Sequence, residues 1–247
     1  MIKGLYTAAS GMQASLQKNN IISNNLANIN TTGYKKEMTV NKSFSEELVT
    51  RMDGEVTDIG QGGSSVVVAG ATTDQSTGSF KKTGNKLDWA IEGSGFFTIQ
   101  TPYGVRYTRN GDFTINKQNQ VVTQNGYLVR GEEGILKLPP QSEQVSLKNN
   151  KLVVNGEIIN KVKLKDFPNK AGLEKAGGTL FRWTPQAGQA FAAQGEIQQG
   201  FLEQSNVNVV EEMVKMIANS RKYEANQKMI KAHDNTLGKA VNQVGKA

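Results

Sequence analysis

A seven-residue apolar repeat at each end of the chain is the feature that most constrains its fold. From residue 209 onward one row recurs at every seventh position: Val209, Met216, Tyr223, Ile230, Leu237 and Val244. Near the start the same step joins Leu5, Met12 and Leu26, with Asn19 in the missing place. Such a step is typical of a helix buried along a narrow seam. The pattern predicts that the two ends of the chain meet, and that function lies in assembly rather than in a pocket.

A second row of the C-terminal helix is polar in its middle. Its members are Met213, Ser220, Gln227, Asp234 and Val241. A dimeric zipper needs this row to be apolar, whereas polar seam residues weaken isolated pairing and specify register and partner. The pattern favours a helix with several neighbouring subunits, although an amphipathic helix on an ordinary core would also produce it. The predicted subunit-packing residues are Leu5, Met12, Leu16, Ile22, Leu26, Val209, Met213, Met216, Tyr223, Ile230, Leu237, Val241 and Val244.

Local signals set the limits of both helices. Asn208 can cap the C-terminal helix, with Glu211 three residues on as the returning carboxylate. At the other end Thr31-Thr32-Gly33 closes the N-terminal helix, because Gly33 can adopt the left-handed conformation that ends helices. The predicted helical segments are residues 1–31 and 208–247.

Between the helices the composition predicts an inserted, mainly β domain. Residues 32–86 are expected to form an extended bracing segment, residues 87–185 the β domain, and residues 186–207 an extended return segment. The fold class is therefore α+β, with the terminal helices forming a coiled-coil layer. Predicted hairpin turns are Asn110-Gly111, Asn125-Gly126 and Asn155-Gly156. The predicted strands are residues 96–99, 105–108, 113–115, 121–123, 127–129, 145–147, 152–154, 158–159 and 162–164.

Charge and composition narrow the function. The 247 residues carry a formal net charge of +7, but the lysines are scattered and no basic stripe with interleaved aromatics appears, so nucleic-acid binding is a remote alternative. Cysteine is absent, which excludes disulfides. No run reaches the ~20 apolar residues of a membrane span. Thr7, Ser10 and Gln13 interrupt any signal-peptide core. The residues alone favour a cytoplasmic protein without a membrane span.

The sequence shows no pattern of catalytic or ligand-binding residues. Gly93-Ser94-Gly95 lacks the spacing of a nucleotide fingerprint and precedes a strand, so it is interpreted as a turn. His233 is the single histidine, and no cysteine can share a metal with it. Nothing pairs two of the carboxylates near the β turns across a cleft. We therefore predict no catalytic residue, no metal and no cofactor, and a protein that is not an enzyme.

Motif positions occur at both ends of the chain and at the start of the β domain. Those at the two ends are Ser10, Gly11, Met12, Asn24, Asn25, Leu26, Ala27, Asn28, Gly33, Tyr34, Lys35, Ser205, Asn206, Val207, Asn208, Glu212 and Met213. Together with the blocks Gly93 to Phe97 and Tyr107 to Phe113, they resemble the bacterial flagellar rod and hook family of axial proteins. The first of these blocks resembles the lead into the family's β domain, and the second resembles its first hairpin. The similarity covers nearly the whole chain, and the order of the blocks makes it specific.

The resemblance implies a structural subunit of the flagellar basal-body rod, the driveshaft between motor and hook in motility. In this family the terminal helices pack as an inner coiled-coil layer, with the β domain outside. The implied partners are further copies in a helical assembly, other rod proteins, the hook protein and the flagellar type III export apparatus. The implied location is the basal body, reached by export across the cytoplasmic membrane without a cleaved signal. This expectation replaces the cytoplasmic one.

Within the family the distal rod subunit is the best match. The chain is too long for the short proximal subunits, and no hook-sized outer domain is inserted. The alternative is the proximal-side rod paralogue or a hook-basal body protein of the same family. A fused peptidoglycan hydrolase, a rival from another class, has no segment to occupy and no catalytic pair.

Overall fold

Two long helices flank a β-rich middle in the computed structural model, which describes residues 2–43, 47–53, 55–62, 66–140 and 145–244. Helix α1 is Ile2–Ala27 and helix α2 is Val209–Val244. The α+β class is thereby confirmed. The chain divides into two units, which are described separately below. The helical unit is Met1–Leu26, Glu37–Thr72 and Asn208–Ala247, and the β unit is Ala27–Lys36 and Thr73–Val207.

The helical unit contains short strands as well as the two helices. They are β1 (Glu37–Ser43), β2 (Glu47–Asp53), β3 (Glu55–Gly62) and β4 (Val66–Thr73). Strand β1 pairs with β4, and β2 pairs antiparallel with β3. Much of the segment predicted to be extended is therefore held by pairing within its own part of the chain.

The two helices differ in how well their predicted ends match the structure. Helix α1 ends at Ala27, before the predicted residue 31, and residues 28–33 form turns. Gly33 has the left-handed φ of 66° that was expected, but it lies beyond the helix. The start of α2 is as predicted, because Asn208 Oδ1 accepts hydrogen bonds from the backbone N–H groups of Val210 (3.0 Å) and Glu211 (3.2 Å).

The β unit is built from short strands joined by tight turns. Short 3₁₀ helices lie at Lys170–Gly172 and Pro185–Ala187. The strands are β5 (Phe80–Lys82), β6 (Trp89–Glu92), β7 (Phe96–Thr101), β8 (Gly104–Thr108), β9 (Phe113–Ile115), β10 (Val121–Thr123), β11 (Leu128–Gly131), β12 (Gly134–Ile135), β13 (Val145–Lys148), β14 (Lys151–Val154), β15 (Glu157–Lys161), β16 (Leu164–Asp166), β17 (Glu174–Lys175), β18 (Leu180–Arg182), β19 (Phe191–Ala192), β20 (Glu196–Gln199) and β21 (Phe201–Glu203).

The pairing of these strands supports most of the sequence prediction. Every predicted run overlaps an observed strand. The main path runs β17-β18-β8-β7-β11-β10-β9, and β13-β14-β15 form a separate meander. The predicted extended return segment contains three strands that pair within the unit: β19 with β16, β20 with β6, and β21 with β5. The chain after residue 186 therefore completes the β unit.

Two of the three predicted hairpin turns are confirmed. Asn125-Gly126 joins the antiparallel pair β10 and β11, and Asn155-Gly156 joins β14 and β15 with φ values of 51° and 92°. The prediction for Asn110-Gly111 is wrong, because β8 pairs with β7 and β18 whereas β9 pairs with β10. An ideal Cβ at Gly111 would lie 1.6 Å from the Trp89 carbonyl oxygen, so this glycine allows close backbone approach.

Strand β7 separates two apolar cores because its successive side chains point to opposite faces. Phe97 packs with Trp89 and Phe113, and its ring centroid lies 5.1 Å from that of Phe113. Phe96 packs on the other side with Phe167 and Phe181, in the smaller core. The β unit is thus organised around a central strand that is covered on both faces.

Candidate assembly site

Helices α1 and α2 contact each other at seven-residue intervals, in antiparallel order. Asn219 Nδ2, near the middle, donates hydrogen bonds to the Ser15 carbonyl oxygen and to Asn19 Oδ1, both at 2.7 Å. One interval away, Asn25 Nδ2 donates to Glu212 Oε2 at 3.1 Å. These residues therefore set the register of the helix pair by directional bonds rather than by apolar packing alone.

The contacts continue in the other direction through two glycines of α1. An ideal Cβ at Gly11 would lie 2.8 Å from Asn226 Nδ2, and one at Gly4 would lie 3.0 Å from His233 Nε2. Both polar side chains thus pack directly against glycine backbone. Larger residues at these glycines would push the side chains of α2 away, so the small residues of α1 permit the close approach.

The polar row that faces α1 is therefore Glu212, Asn219, Asn226 and His233. It is offset by one residue from the predicted second row, which began at Met213. Met216, Tyr223, Ile230 and Leu237 are half-buried beside it. Apolar spacing did not predict this polar row, because a polar residue on a helix is usually solvated.

Replacing Asn219 by alanine should loosen this helix pair. Its side chain is buried, and the change removes the donor to the Asn19 amide oxygen and a second donor to the Ser15 carbonyl, which lies within α1. Leaving buried polar groups unpaired costs about 1–3 kcal/mol, so amide hydrogen exchange around residue 219 should accelerate about tenfold. Asn242→Ala, an exposed change on the same helix, is the control. Equal exchange in both variants would mean that the polar row does not hold the pair.

The side of α2 away from its polar row carries an exposed apolar stripe. Val210, Met213, Val214 and Ile217 have exposed fractions of 70%, 47%, 60% and 56%. Their spacing places them on one face of the helix. Contiguous exposed apolar surface of this kind usually marks a protein-interaction site.

A buried ion cluster in the β unit joins segments that are far apart in sequence. The Glu203 carboxylate lies 2.5 Å from Lys35 Nζ and 3.3 Å from Arg109 Nη1, and all three side chains are buried. Lys35 Nζ also donates to the Ser76 carbonyl oxygen at 2.6 Å, and the Gly78 N–H donates to Glu203 Oε1 at 3.1 Å. The shared carboxylate thus fixes several crossing strands and loops at one point.

The two cations of this cluster, Lys35 and Arg109, are buried and are contacted by protein groups. Burial lowers the pKa of Lys35 and of Arg109 below their ordinary values, although Glu203 opposes both shifts. Arg109 also donates to the carbonyl oxygens of Ile91 and Gly93, and its guanidinium lies 5.4 Å from the Phe96 ring centroid. Because two desolvated cations depend on one anion, loss of that anion should be costly.

Asn206 makes a second junction next to this cluster. Its Oδ1 accepts from the Lys36 N–H at 2.7 Å, and its Nδ2 donates to the carbonyl oxygens of Asp74 and Ser76. The Gly33 N–H donates to the Glu203 carbonyl oxygen at 2.8 Å. Residues that precede the β strands are therefore fastened to residues that follow them.

The predicted packing residues occupy different environments in the structure. Ile22 is buried, while Leu5, Met12, Leu26 and the central α2 row are half-buried. Leu16 (49%), Val209 (36%), Met213 (47%) and Val241 (71%) are exposed. The side chain of Val244 lies outside the described residues. The exposed members are available for contacts beyond this chain.

The motif residues divide between the two units. Asn25 and Glu212 pair in the helical unit, with Ser10, Gly11, Met12, Asn24, Leu26, Asn208 and Met213 also there. Gly33, Lys35 and Asn206 take part in the two β-unit junctions, and that unit also contains Ala27, Asn28, Tyr34, Ser205 and Val207. Arg109 lies inside the Tyr107 to Phe113 block, and no role was predicted for it or for Glu203. A charged residue inside an apolar β-type block was the available signal.

Neither arrangement has the form of a reaction centre. Among the residues that the structure describes, no group of three His, Asp or Glu side chains is placed to hold a metal ion. The cluster around Glu203 consists of paired charges that are shut away from solvent. What this geometry can do is fix backbone segments relative to each other.

Three family models match successive parts of the chain. Residues 5–35 match the model described as "Flagella basal body rod protein". Residues 90–155 match "Flagellar hook protein FlgE/F/G D1 domain", and residues 198–243 match "Flagellar basal body rod FlgEFG protein C-terminal". The matches thus include α1, the first half of the β unit and most of α2.

Full-length relatives decide the family. The flagellar basal-body rod protein FlgG of Borreliella burgdorferi is 36% identical over 262 residues, covering 98% of each chain. FlgG of Bacillus subtilis is 32% identical over 261 residues, covering 98% of this chain and 99% of the relative. The chain belongs to the flagellar basal-body rod protein family. Its resemblance to the rod and hook family is thereby confirmed.

The identities of the relatives also distinguish between the distal rod type and the alternative that the sequence left open. The flagellar hook-basal body complex protein FlhO of Bacillus subtilis is 28% identical over 270 residues, below the FlgG relatives above. The FlgG type is therefore favoured over the alternative, and the location is the basal body of the flagellum. Rod proteins are structural, and the comparisons indicate no catalytic function. No described helix has an apolar stretch long enough to cross a membrane.

Proposed function

We propose that this rod protein builds the distal rod by packing α2 of each copy against neighbouring copies. The exposed apolar stripe of Val210, Met213, Val214 and Ile217 carries the proposal. A rod subunit has neighbours along and around its axis, and burial of this stripe would stabilise contact with them. Leu16, Val209 and Val241 extend the exposed apolar surface available to such neighbours.

The helix pair supports an inner coiled-coil layer made from many copies. One pair is joined by polar contacts and leaves its outer face uncovered, so its ordering is favoured when neighbours cover that face. In this proposal the polar row sets the register within a chain, and the outer stripe forms the contacts between chains. The layer then transmits torque because each helix is held from several sides.

The remaining parts of the chain have proposed roles in the same assembly. Residues 32–86 brace adjacent subunits. Other rod proteins and the hook protein are the axial partners, and the flagellar export apparatus delivers the subunit. The family membership supports these roles.

Replacing Ile217 by aspartate should abolish assembly without unfolding the chain. The side chain is 56% exposed, so the isolated chain can solvate the new carboxylate, whereas a neighbour would bury it without a partner. We expect the concentration needed for tubes or rods to rise more than about 100-fold, because an uncompensated buried charge costs several kcal/mol. Negative-stain electron microscopy of the full-length protein measures this directly.

Ile158→Asp is the matched control for this experiment. Ile158 is 62% exposed but lies on β15, away from the stripe. Assembly by the control but not by the Ile217 variant supports the proposal. Normal rods from the Ile217 variant would exclude the stripe as the contact. Failure of the unaltered chain to assemble, at any concentration or salt, would count against self-assembly.

A further inference from the structure

A groove along one side of the helix pair is enclosed by α1 and α2. Gly11, Ala14 and Ala218 are among the residues that line it, and its volume is about 380 Å³. These small residues leave room for side chains from another chain. The groove extends on α1 from Thr7 to Lys18, which is about 16 Å of helix at 1.5 Å per residue.

The rim of this groove is basic. Lys18, Lys215 and Lys222 line it. Lys215 is paired with Glu211 at 2.6 Å and with Glu212 at 2.9 Å. Lys18 and Lys222 have no acidic partner among the residues that the structure describes. The groove therefore presents two unneutralised cations to whatever enters it.

The two unpaired lysines select an occupant that carries a carboxylate, because opposite charges attract across an interface. Asn226 Nδ2 is enclosed against Gly11 within the chain, so it is closed to an incoming group.

Helix α2 itself carries a row with these properties. Met213, Ile217, Ser220 and Glu224 follow one another at steps of four, three and four residues, and so lie along one face. Met213 and Ile217 are 47% and 56% exposed, and Glu224 is exposed. The row spans twelve residues, as does the α1 side of the groove, and the eleven steps of 1.5 Å make a length of about 16 Å.

We propose that the groove of one copy receives this row from a second copy of the chain. Ile217 and Met213 cover the small residues that line the groove, and the Glu224 carboxylate lies between Lys18 and Lys222. This inference rests on the proposed self-assembly and specifies the site that receives the stripe. Charge complementarity fixes the axial position of one copy against the next.

Charge reversal tests this docking. Glu224→Lys should raise the concentration needed for rod formation about tenfold, because attraction becomes like-charge repulsion. Lys222→Glu should do the same, and the two changes in one chain should restore assembly. Light scattering and negative-stain microscopy of the full-length variants are the measurements, and circular dichroism checks that each variant keeps its helices. Asp234→Lys, another exposed acidic change on α2, is the matched control.

Each outcome has a distinct meaning. Loss with either single change, recovery with both and normal assembly of the control support the groove. Assembly of Glu224→Lys at the unaltered concentration, or an equal loss with Asp234→Lys, overturns the groove and leaves the rod proposal intact. If the unaltered chain never assembles while remaining folded, self-assembly itself is contradicted and the groove proposal falls with it.

Discussion

Glu203→Gln should lower the free energy of unfolding of the β unit by about 3–5 kcal/mol, because it leaves two buried cations without their anion. The change keeps the shape of the side chain and removes only its charge. Lys35 and Arg109 would retain their neutral carbonyl acceptors but lose the carboxylate at 2.5 and 3.3 Å. Urea unfolding followed by tryptophan fluorescence measures the loss, since Trp89 is buried in the core of the same unit.

Glu196→Gln provides the control for this prediction. Glu196 is also a strand glutamate of the β unit, but it is exposed on β20. Its replacement should change the free energy of unfolding by less than about 0.5 kcal/mol, as for most surface changes. If both variants unfold at the same urea concentration as the unaltered protein, the cluster does not stabilise the unit.

Gly33→Ala should be almost as damaging, at about 2–5 kcal/mol, because backbone strain and overpacking add at this position. Gly33 has a φ of 66°, and an ideal Cβ would lie 2.3 Å from the Asn110 backbone nitrogen. Backbone atoms cannot rotate away as a side chain can. Relief of the clash would move the Arg109–Asn110 segment, and with it one cation of the Glu203 cluster.

The matched control separates strain from crowding. Gly126 has a similar φ of 79°, but nothing lies within 4 Å of an ideal Cβ there. Gly126→Ala should therefore cost only the strain, about 1–2 kcal/mol. Urea unfolding of the two variants gives the comparison. Equal losses would show that crowding against Asn110 contributes nothing.

The sequence predicted correctly those elements that depend on residues close together in the chain. Asn155-Gly156 formed its hairpin because both residues tolerate positive φ between adjacent strands. Asn110-Gly111 has the same composition but joins strands that pair elsewhere, and strand order depends on contacts distant in sequence. The end of α1 was predicted too late because the suitable glycine, Gly33, serves the β unit instead.

The candidate assembly site was predictable only in part, because many of its contacts join residues that are distant in sequence. The seven-residue step predicted both helices, which the structure contains. The ion cluster joins Lys35 to Glu203 across 168 residues and Arg109 to Glu203 across 94, and no local pattern announces such a pair. A lysine, an arginine and a glutamate are ordinarily surface residues, so burial could not be assumed.

The pairing of β5 with β21 and of β6 with β20 determines when the β unit can be completed. The Gly78–Glu203 hydrogen bond alone spans 125 residues. Contacts of such separation close long loops and form slowly. These pairings cannot form from one half of the chain, because residues 80–92 must meet residues 196–203. The β unit therefore reaches its final form only when both segments are free at the same time.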